Sequence, residues 1–372
     1  MKKRLFSMAG LFLSGLMCFS AVGCGSSKKS ANEDPFTALS PKNGRSVSIV
    51  NSAIENFLEQ DELVGSLVDA YVTKEDNFAP KSIPLFWECA ETLTDCTITL
   101  AMDKAFTKNV SVYNHADKSP SVIENSYTNC EYFWKINGIT ESGEALESSV
   151  YSFKVTATPR PVHIDGVSNT RDIGGYNVAD GKVKQGMIYR TAKFDDITPM
   201  GLVIANEMLK IKTDLDLRNV GEGTAGAQSP LGCENYLRLT SPYYSIFSAD
   251  EKAQVREIMK VFTDETNYPI AMHCSLGRDR TGTIAFLLNA LLGVGRMNLR
   301  TDYFLSCFSK SGTALDSATY VQLERSFNSM YNGIEDGYKG NTYAEKVENY
   351  LLSAGVTEDQ IQEIKRIMIV EN

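Results

Sequence analysis

The chain predicts two domains of different class: an all-β sandwich over residues 35–158, then an α/β domain with a mainly parallel central sheet over 162–372. Three observations carry this reading. Residues 80–158 alternate apolar and polar side chains with period two. Beyond 160, short apolar runs of strand length alternate with segments of helical spacing. Between them, Pro159-Arg160-Pro161 forms a stiff extended connector, so residues from about 160 to 372 are expected to fold and act on their own.

The N-terminus reads as an export leader over 1–23. Lys2-Lys3-Arg4 supplies the basic region, and Leu5 to Val22 is uncharged and mostly apolar. Gly10, Ser14, Gly15 and Ser20 break up a stretch only just long enough to span a bilayer, which argues against a permanent transmembrane helix. The run Ala21-Val22-Gly23-Cys24 resembles a bacterial lipoprotein signal, with Ala21 where Leu is commoner. That resemblance implies lipid on Cys24, a polar tether over 24–34, and an extracytoplasmic protein anchored to the bacterial cell membrane. Plain secretion is the alternative.

Asn51 to Val72 predicts a helix, because Ile54, Phe57, Leu58, Leu63, Leu67 and Val68 recur near helical spacing. Strands are expected at 83–87, 97–102, around Val110 and Val112, at 132–136 and at 151–155, with turn signals about every ten residues. Trp87, Tyr132-Phe133-Trp134 and Tyr151-Ser152-Phe153 resemble a fibronectin type III domain, and these aromatics are expected in its core. In the second domain, strands are expected at 187–189, 212–217 and 236–239. Helices are expected at 199–210 from a Thr198 cap with Pro199 at its first position, at 249–262, 343–352 and 358–369.

Composition sets bounds. An apolar fraction of 43% and a charged fraction of 22% fit globular folding. The net charge of −9, more negative once the basic leader is removed, argues against nucleic-acid binding. Of eight cysteines, Cys18 lies in the leader and Cys24 would carry lipid. Cys89, Cys96 and Cys130 cluster, leaving room for one disulfide outside the membrane.

The chemistry concentrates in Tyr268 to Gly282. This stretch opens as an apolar strand and runs into an apolar helix expected at 283–292. Between them, Cys274 is followed by Arg280 six residues later. A strand–loop–helix junction aims backbone N–H groups at one point, where the helix N-terminus adds partial positive charge. Ser275, Leu276, Gly277, Arg278, Asp279 and Arg280 thus form a candidate phosphate cradle. Gly277 permits a left-handed turn, and Arg280 offers a planar fork for two phosphate oxygens. The same field would favour the nucleophilic thiolate of Cys274.

His273-Cys274-Ser275-Leu276-Gly277-Arg278-Asp279-Arg280-Thr281-Gly282 resembles the signature loop of the cysteine-dependent protein tyrosine phosphatases, most nearly the bacterial tyrosine/lipid phosphatase branch. Arg278 stands where that branch usually has Lys. Asn169-Thr170-Arg171-Asp172-Ile173-Gly174-Gly175-Tyr176 resembles its Asn-Phe-Arg-Asp-Leu-Gly-Gly-Tyr segment, with Thr170 for Phe. Ile188 to Ala192, Asp214 to Glu222 and Thr301-Asp302-Tyr303 match further segments in the right order. The resemblance implies a phosphocysteine intermediate formed on Cys274, with Arg280 and the loop amides holding the phosphoryl oxygens. It gives supporting roles to His273 behind the loop, Thr281 beside the sulfur, the Arg171–Asp172 pair and Arg218, and it requires no metal or other cofactor. Arg218 and Glu222 could also form a plain surface pair.

One part of that pattern is missing. The loop after Leu237-Arg238-Leu239 reads Thr240-Ser241-Pro242-Tyr243-Tyr244, without the Asp that relatives use as general acid. Asp250 and Asp279 are the candidates, and Asp279 is expected to matter most for poor leaving groups. Substrates implied are a phosphorylated protein, phosphotyrosine first, or a phosphoinositide, for which Arg278 adds the extra positive charge needed. The rival class is a cell-surface binding lipoprotein whose phosphatase fold reads phosphate with little or no turnover.

Overall fold

A computed structural model of the chain describes residues 34–59, 79–115, 121–157, 159–219, 221, 222, 226, 228–233, 235–309 and 317–371. The leader, Cys24, most of the tether and the expected helix beyond residue 59 lie outside them. The chain divides into two compact units. The first comprises 1–47, 83–123 and 130–154; the second comprises 48–82, 124–129 and 155–372.

In the first unit every described regular element is a strand. Phe36–Ser40, Ile83–Cys89 and Ser121–Ile123 form one antiparallel sheet. The second sheet is built on Cys130–Thr140, which pairs antiparallel with Leu93–Ala101; that strand pairs in turn with Ser111–His115. The period-two pattern becomes burial: Tyr132, Trp134 and Ile136 point inward, as do Tyr151 and Phe153 of the strand Tyr151–Thr156. Tyr132 stacks on Phe153 with ring centroids 5.4 Å apart, and Trp134 meets Tyr151 at 5.1 Å. These four aromatics are core residues, whereas Trp87 and Phe133, expected with them, are only half-buried. Cys89, Cys96 and Cys130 form no disulfide, and neither do Cys233, Cys274 and Cys307.

The second unit holds a five-stranded mixed sheet in the spatial order Arg171–Asp172, Ile188–Thr191, Ile270–His273, Thr213–Asp216, Asn235–Arg238. The last four run parallel, and the first is an antiparallel edge. Ile270–His273 lies at the centre and is buried at every residue, which fits a strand covered on both faces. The chain leaves its carboxyl end into Cys274 and re-enters regular structure as the helix Arg280–Leu291. That helix starts earlier than its apolar run suggests, because the signature Arg forms its first turn. All twelve of its residues are buried, so it is a central helix rather than an amphipathic surface one. It packs on Ile188–Thr191 and Ile270–His273, and against the helices Arg296–Leu305 and Tyr343–Ser353.

The remaining helices start where sequence signals place them. Thr198 caps Pro199–Val203 by accepting Gly201 N–H at 3.0 Å. That helix then widens: Leu209 N–H reaches back five residues to Ile204 O at 2.9 Å, a π-helical turn that periodicity alone does not reveal. Ser248 and Glu251 form a reciprocal capping box on Ala249–Val261. Ser317–Gly337 and Glu358–Met368 complete the set. No helix among the described residues is long and apolar enough to cross a membrane.

Two segments expected in the sandwich group with the second unit instead. The helix Ser52–Leu58, capped by Asn51, buries Ile54 and Phe57 in the core that contains the loop helix. The Phe57 ring lies 5.0 Å from that of Phe308. Residues 124–129 belong there because Arg160 is buried against them. Its guanidinium donates to Ser126 O at 3.0 Å and to Asn125 O, and lies over the Tyr127 ring at 4.0 Å. Thus Pro159-Arg160-Pro161, expected as a spacer, carries a buried anchor within this unit.

Candidate active site

The loop after Ile270–His273 is shaped by what its carbonyls do. Ser275 O accepts the Lys193 N–H at 3.3 Å, and Leu276 O accepts Asn169 Nδ2 at 2.8 Å. Gly277 O and Arg278 O both accept Arg190 Nη2, at 2.8 and 3.3 Å. In a planar trans peptide the next residue's N–H points opposite to the carbonyl. Four carbonyls drawn outward therefore turn the amides of residues 276–279 inward, toward a shared centre. Gly277 allows this path: its φ is +68°, and a Cβ there would lie 2.3 Å from Thr191 O.

The groups behind the loop are held by a buried ionic chain. Asp302 accepts Arg171 Nε at 2.6 Å on one oxygen and Arg190 Nη1 on the other. Arg171 also holds Asn169 Oδ1 at 2.6 Å, so one chain links Asp302 to the amide that grips Leu276 O. Burial alone would raise the Asp302 carboxyl, but the two guanidiniums hold it below the ordinary aspartate value. Burial first, and Arg190 second, lower Arg171 to about 10. The segments matched around 171, 190 and 302 thus converge on the back of one loop.

Asp172 departs from its expected role. It pairs with Arg160 at 3.1 Å rather than with Arg171, and it accepts the Gly174 N–H at 2.8 Å. The expected Arg171–Asp172 brace is therefore two braces, because alternate strand residues face opposite ways. Arg218 forks onto Asp216 and reaches Asp195 at 3.2 Å, so it is the alternative surface pair with Glu222, not the supporting role, that its described bonds lack. His273 is fully buried, with Nε2 2.9 Å from Asp214 Oδ1 and Nδ1 3.3 Å from Cys274 O. Both its ring nitrogens thus face groups behind the loop.

On the open side, Cys274 is 3% exposed at the start of the cradle. Arg280 is clamped by Glu222, with both terminal nitrogens 2.6 Å from the two carboxylate oxygens. Ser275 Oγ donates to the same carboxylate at 2.9 Å. Arg280 holds Glu222 down to about 2, first through these charge-assisted bonds. Glu222 in turn raises Arg280, and the neighbouring Cys274 adds to that. Arg280 Nε and Thr281 Oγ1 are buried and meet no partner among the described residues, which leaves both for a phosphoryl group or the sulfur. Sequence reasoning missed Glu222 as a site residue. Its signal is the matched Asp-Leu-Arg…Glu segment, where Arg218 lies closer in sequence and invites the wrong pairing.

Neither candidate acid stands open over the cradle. Asp279 is 5% exposed, and its carboxylate accepts from Tyr244 Oη, from Tyr243 Oη at 3.3 Å, and from Arg278 Nε at 2.8 Å. Filled by three donors, it braces the loop rather than offering a proton. The same contact occupies Arg278, which was expected to supply charge for a second phosphate. Asp250 is exposed in the first turn of Ala249–Val261. A cleft of about 580 Å³ opens beside Arg280, and its walls include Glu222, Ser241, Tyr243, Glu251 and Gln254, but not Asp250. Among the described residues, no group of three or more His, Cys, Asp or Glu side chains is placed to hold a metal ion.

Residues 162–370 match the sequence model of the tyrosine phosphatase family. The chain belongs to that family. A tyrosine-protein phosphatase from Nostoc commune is 27% identical to it over 126 residues, which is 30% of this chain and 43% of that relative. The chain thus spans less than half the length of that curated relative. Among solved structures, the core catalytic domain of the PP-IP phosphatase SIW14 from S. cerevisiae, in complex with citrate, is 17% identical with a TM-score of 0.27. That comparison covers 44% of this chain and 91% of the other. A second Siw14 catalytic core is 18% identical, with a TM-score of 0.28, over 43% and 92%.

Proposed function

We propose that the chain is a membrane-tethered, extracytoplasmic phosphate monoester hydrolase acting through a phosphocysteine on Cys274. The observation that carries the reading is the inward-turned amides of residues 276–279, closed at one end by Cys274 and at the other by the buried Arg280. The Cys274 sulfur attacks phosphorus, and the bond to the leaving oxygen breaks. The loop amides and Arg280 Nε stabilise the equatorial oxygens as charge builds. Thr281 Oγ1 donates to the departing sulfur when water cleaves the phosphocysteine and releases phosphate. Arg280 needs no rebuilding for this, because Glu222 already fixes its plane.

Leaving groups that depart without a proton suit this site best. Asp279 is filled, and the carboxyls lining the cleft, Glu222 and Glu251, are both held below the ordinary glutamate value. For Glu222 the first cause is Arg280. For Glu251, burial works upward but the bonds from Ser248 and Ser245 prevail. A phenolate leaves more readily than an alkoxide, so phosphotyrosine is favoured over phosphoserine and phosphothreonine. The same lack of an open acid is what favours the rival reading, a phosphate-binding lipoprotein without turnover. Hydrolysis of a small aryl phosphate by the purified full chain decides between them. Cys274→Ser is expected to abolish turnover while still binding vanadate; wild-type turnover in that variant would end the covalent mechanism. The strand unit preceding the phosphatase is proposed as a fibronectin type III-like module.

A further inference from the structure

We infer that the cleft selects a phosphomonoester set among cationic groups and turns away one that carries a second anionic group, with Glu251 as the specificity-determining residue. This rests on the phosphate-hydrolase reading of the site. Arg280 is more than nine-tenths buried, and its Nε lacks a partner, so the cleft beside it has a phosphate-binding end. The wall that continues from that end is acidic. Its lining contains one guanidinium, Arg280, against two carboxylates, Glu222 and Glu251.

The charge of Arg280 is already matched by Glu222 at 2.6 Å on both terminal nitrogens. Glu251 has no such match. The partners described for its carboxylate are Ser245 Oγ at 2.9 Å and Ser248 N–H at 2.8 Å, both neutral. They fix the carboxylate in place without cancelling it. Asp250, exposed beside it in the same first turn, has the same sign. The nearby cations are paired with other carboxylates: Arg278 with Asp279, and Arg238 with Asp216 at 3.9 Å. A second phosphate or carboxylate on the substrate that reaches this wall therefore meets negative potential, which salt screens over about 8 Å at physiological strength. A Lys or Arg at that position meets attraction. The occupant that fits is a phosphotyrosine segment with basic flanks, and a polyphosphorylated inositol headgroup does not fit.

The test uses full-length Cys274→Ser protein and calorimetric binding of three probes at low salt. The probes are a phosphotyrosine peptide flanked by Lys, the same peptide flanked by Glu, and inositol trisphosphate. The Lys-flanked peptide is expected to bind about tenfold tighter than either of the others. Adding Glu251→Gln keeps the capping box, since Gln serves at that position, and removes only the charge. It should narrow the preference to about twofold. Gln254→Lys, on the same wall, should narrow it by a similar factor through added positive charge. Hydrolysis of an aryl phosphate whose aryl group is uncharged, by the native chain, runs in parallel. If the native chain hydrolyses it and Cys274→Ser binds the probes equally, or prefers inositol trisphosphate, the inference is overturned while the hydrolase reading stands. If Glu251→Gln and Gln254→Lys weaken all probes alike, Glu251 is structural and the inference also fails. If no probe binds and nothing is hydrolysed, both fall together.

Discussion

Glu222 and Asp279 exchange the importance that sequence assigned them. Glu222 is held at about 2 in the folded chain against an ordinary value of 4.5. A depressed carboxyl stabilises the fold above its unfolded value, and that contribution is lost as pH falls toward the folded one. The stability difference between the native chain and Glu222→Gln, from urea unfolding, should be constant above about pH 5 and shrink between 4.5 and 2. A difference that grew on acidification would mean the clamp does not form. Asp279, engaged by Tyr243, Tyr244 and Arg278, is expected to behave as a brace. Asp279→Asn should therefore slow aryl and alkyl phosphates alike, on the order of tenfold in kcat/KM. A selective loss with alkyl phosphates would restore the general-acid role. The strand, the cradle, Cys274 and Arg280 were legible because they are contiguous. Glu222 was not, because its partner lies 58 residues away and a decoy Arg lies four residues before it.

At the scale of elements, the parallel strands and most helices were legible because their apolar periods and caps are local signals. Ser52–Leu58 was legible as a helix but not as a part of the phosphatase core. Its pattern states that one face is buried, not against what. Phe57 is 2% exposed and meets Phe308, so Phe57→Ala in the full chain should cost about 3–5 kcal/mol, read by urea unfolding. A fragment of residues 160–372 removes the whole helix together with the carbonyls that hold Arg160. It should unfold at lower urea than the same unit in the full chain. Equal midpoints would show that the connector is a true domain boundary, as the sequence suggests.

For the whole molecule, a net charge of −9 means that the phosphate affinity proposed for the loop is local rather than a property of the surface. Anchoring is the remaining proposal at this scale, resting on Ala21-Val22-Gly23-Cys24. Cys24→Ala should move the mature protein from the detergent phase to the aqueous phase on partition; unchanged partition would point to a hydrophobic span instead. The pinned carbonyls have a consequence for how such a chain can diverge. Each loop peptide answers to a residue from a distant segment, among them Lys193 through its backbone, and Asn169 and Arg190, which lead on to Asp302. Drift in the cradle therefore has to be matched at several positions at once. Gln254 and Glu251 sit on one helix, and the described bonds of Glu251 are all local to its first turn. New preferences can arise there by single steps, so descendants of this chain should differ in whom they serve long before they differ in what they do.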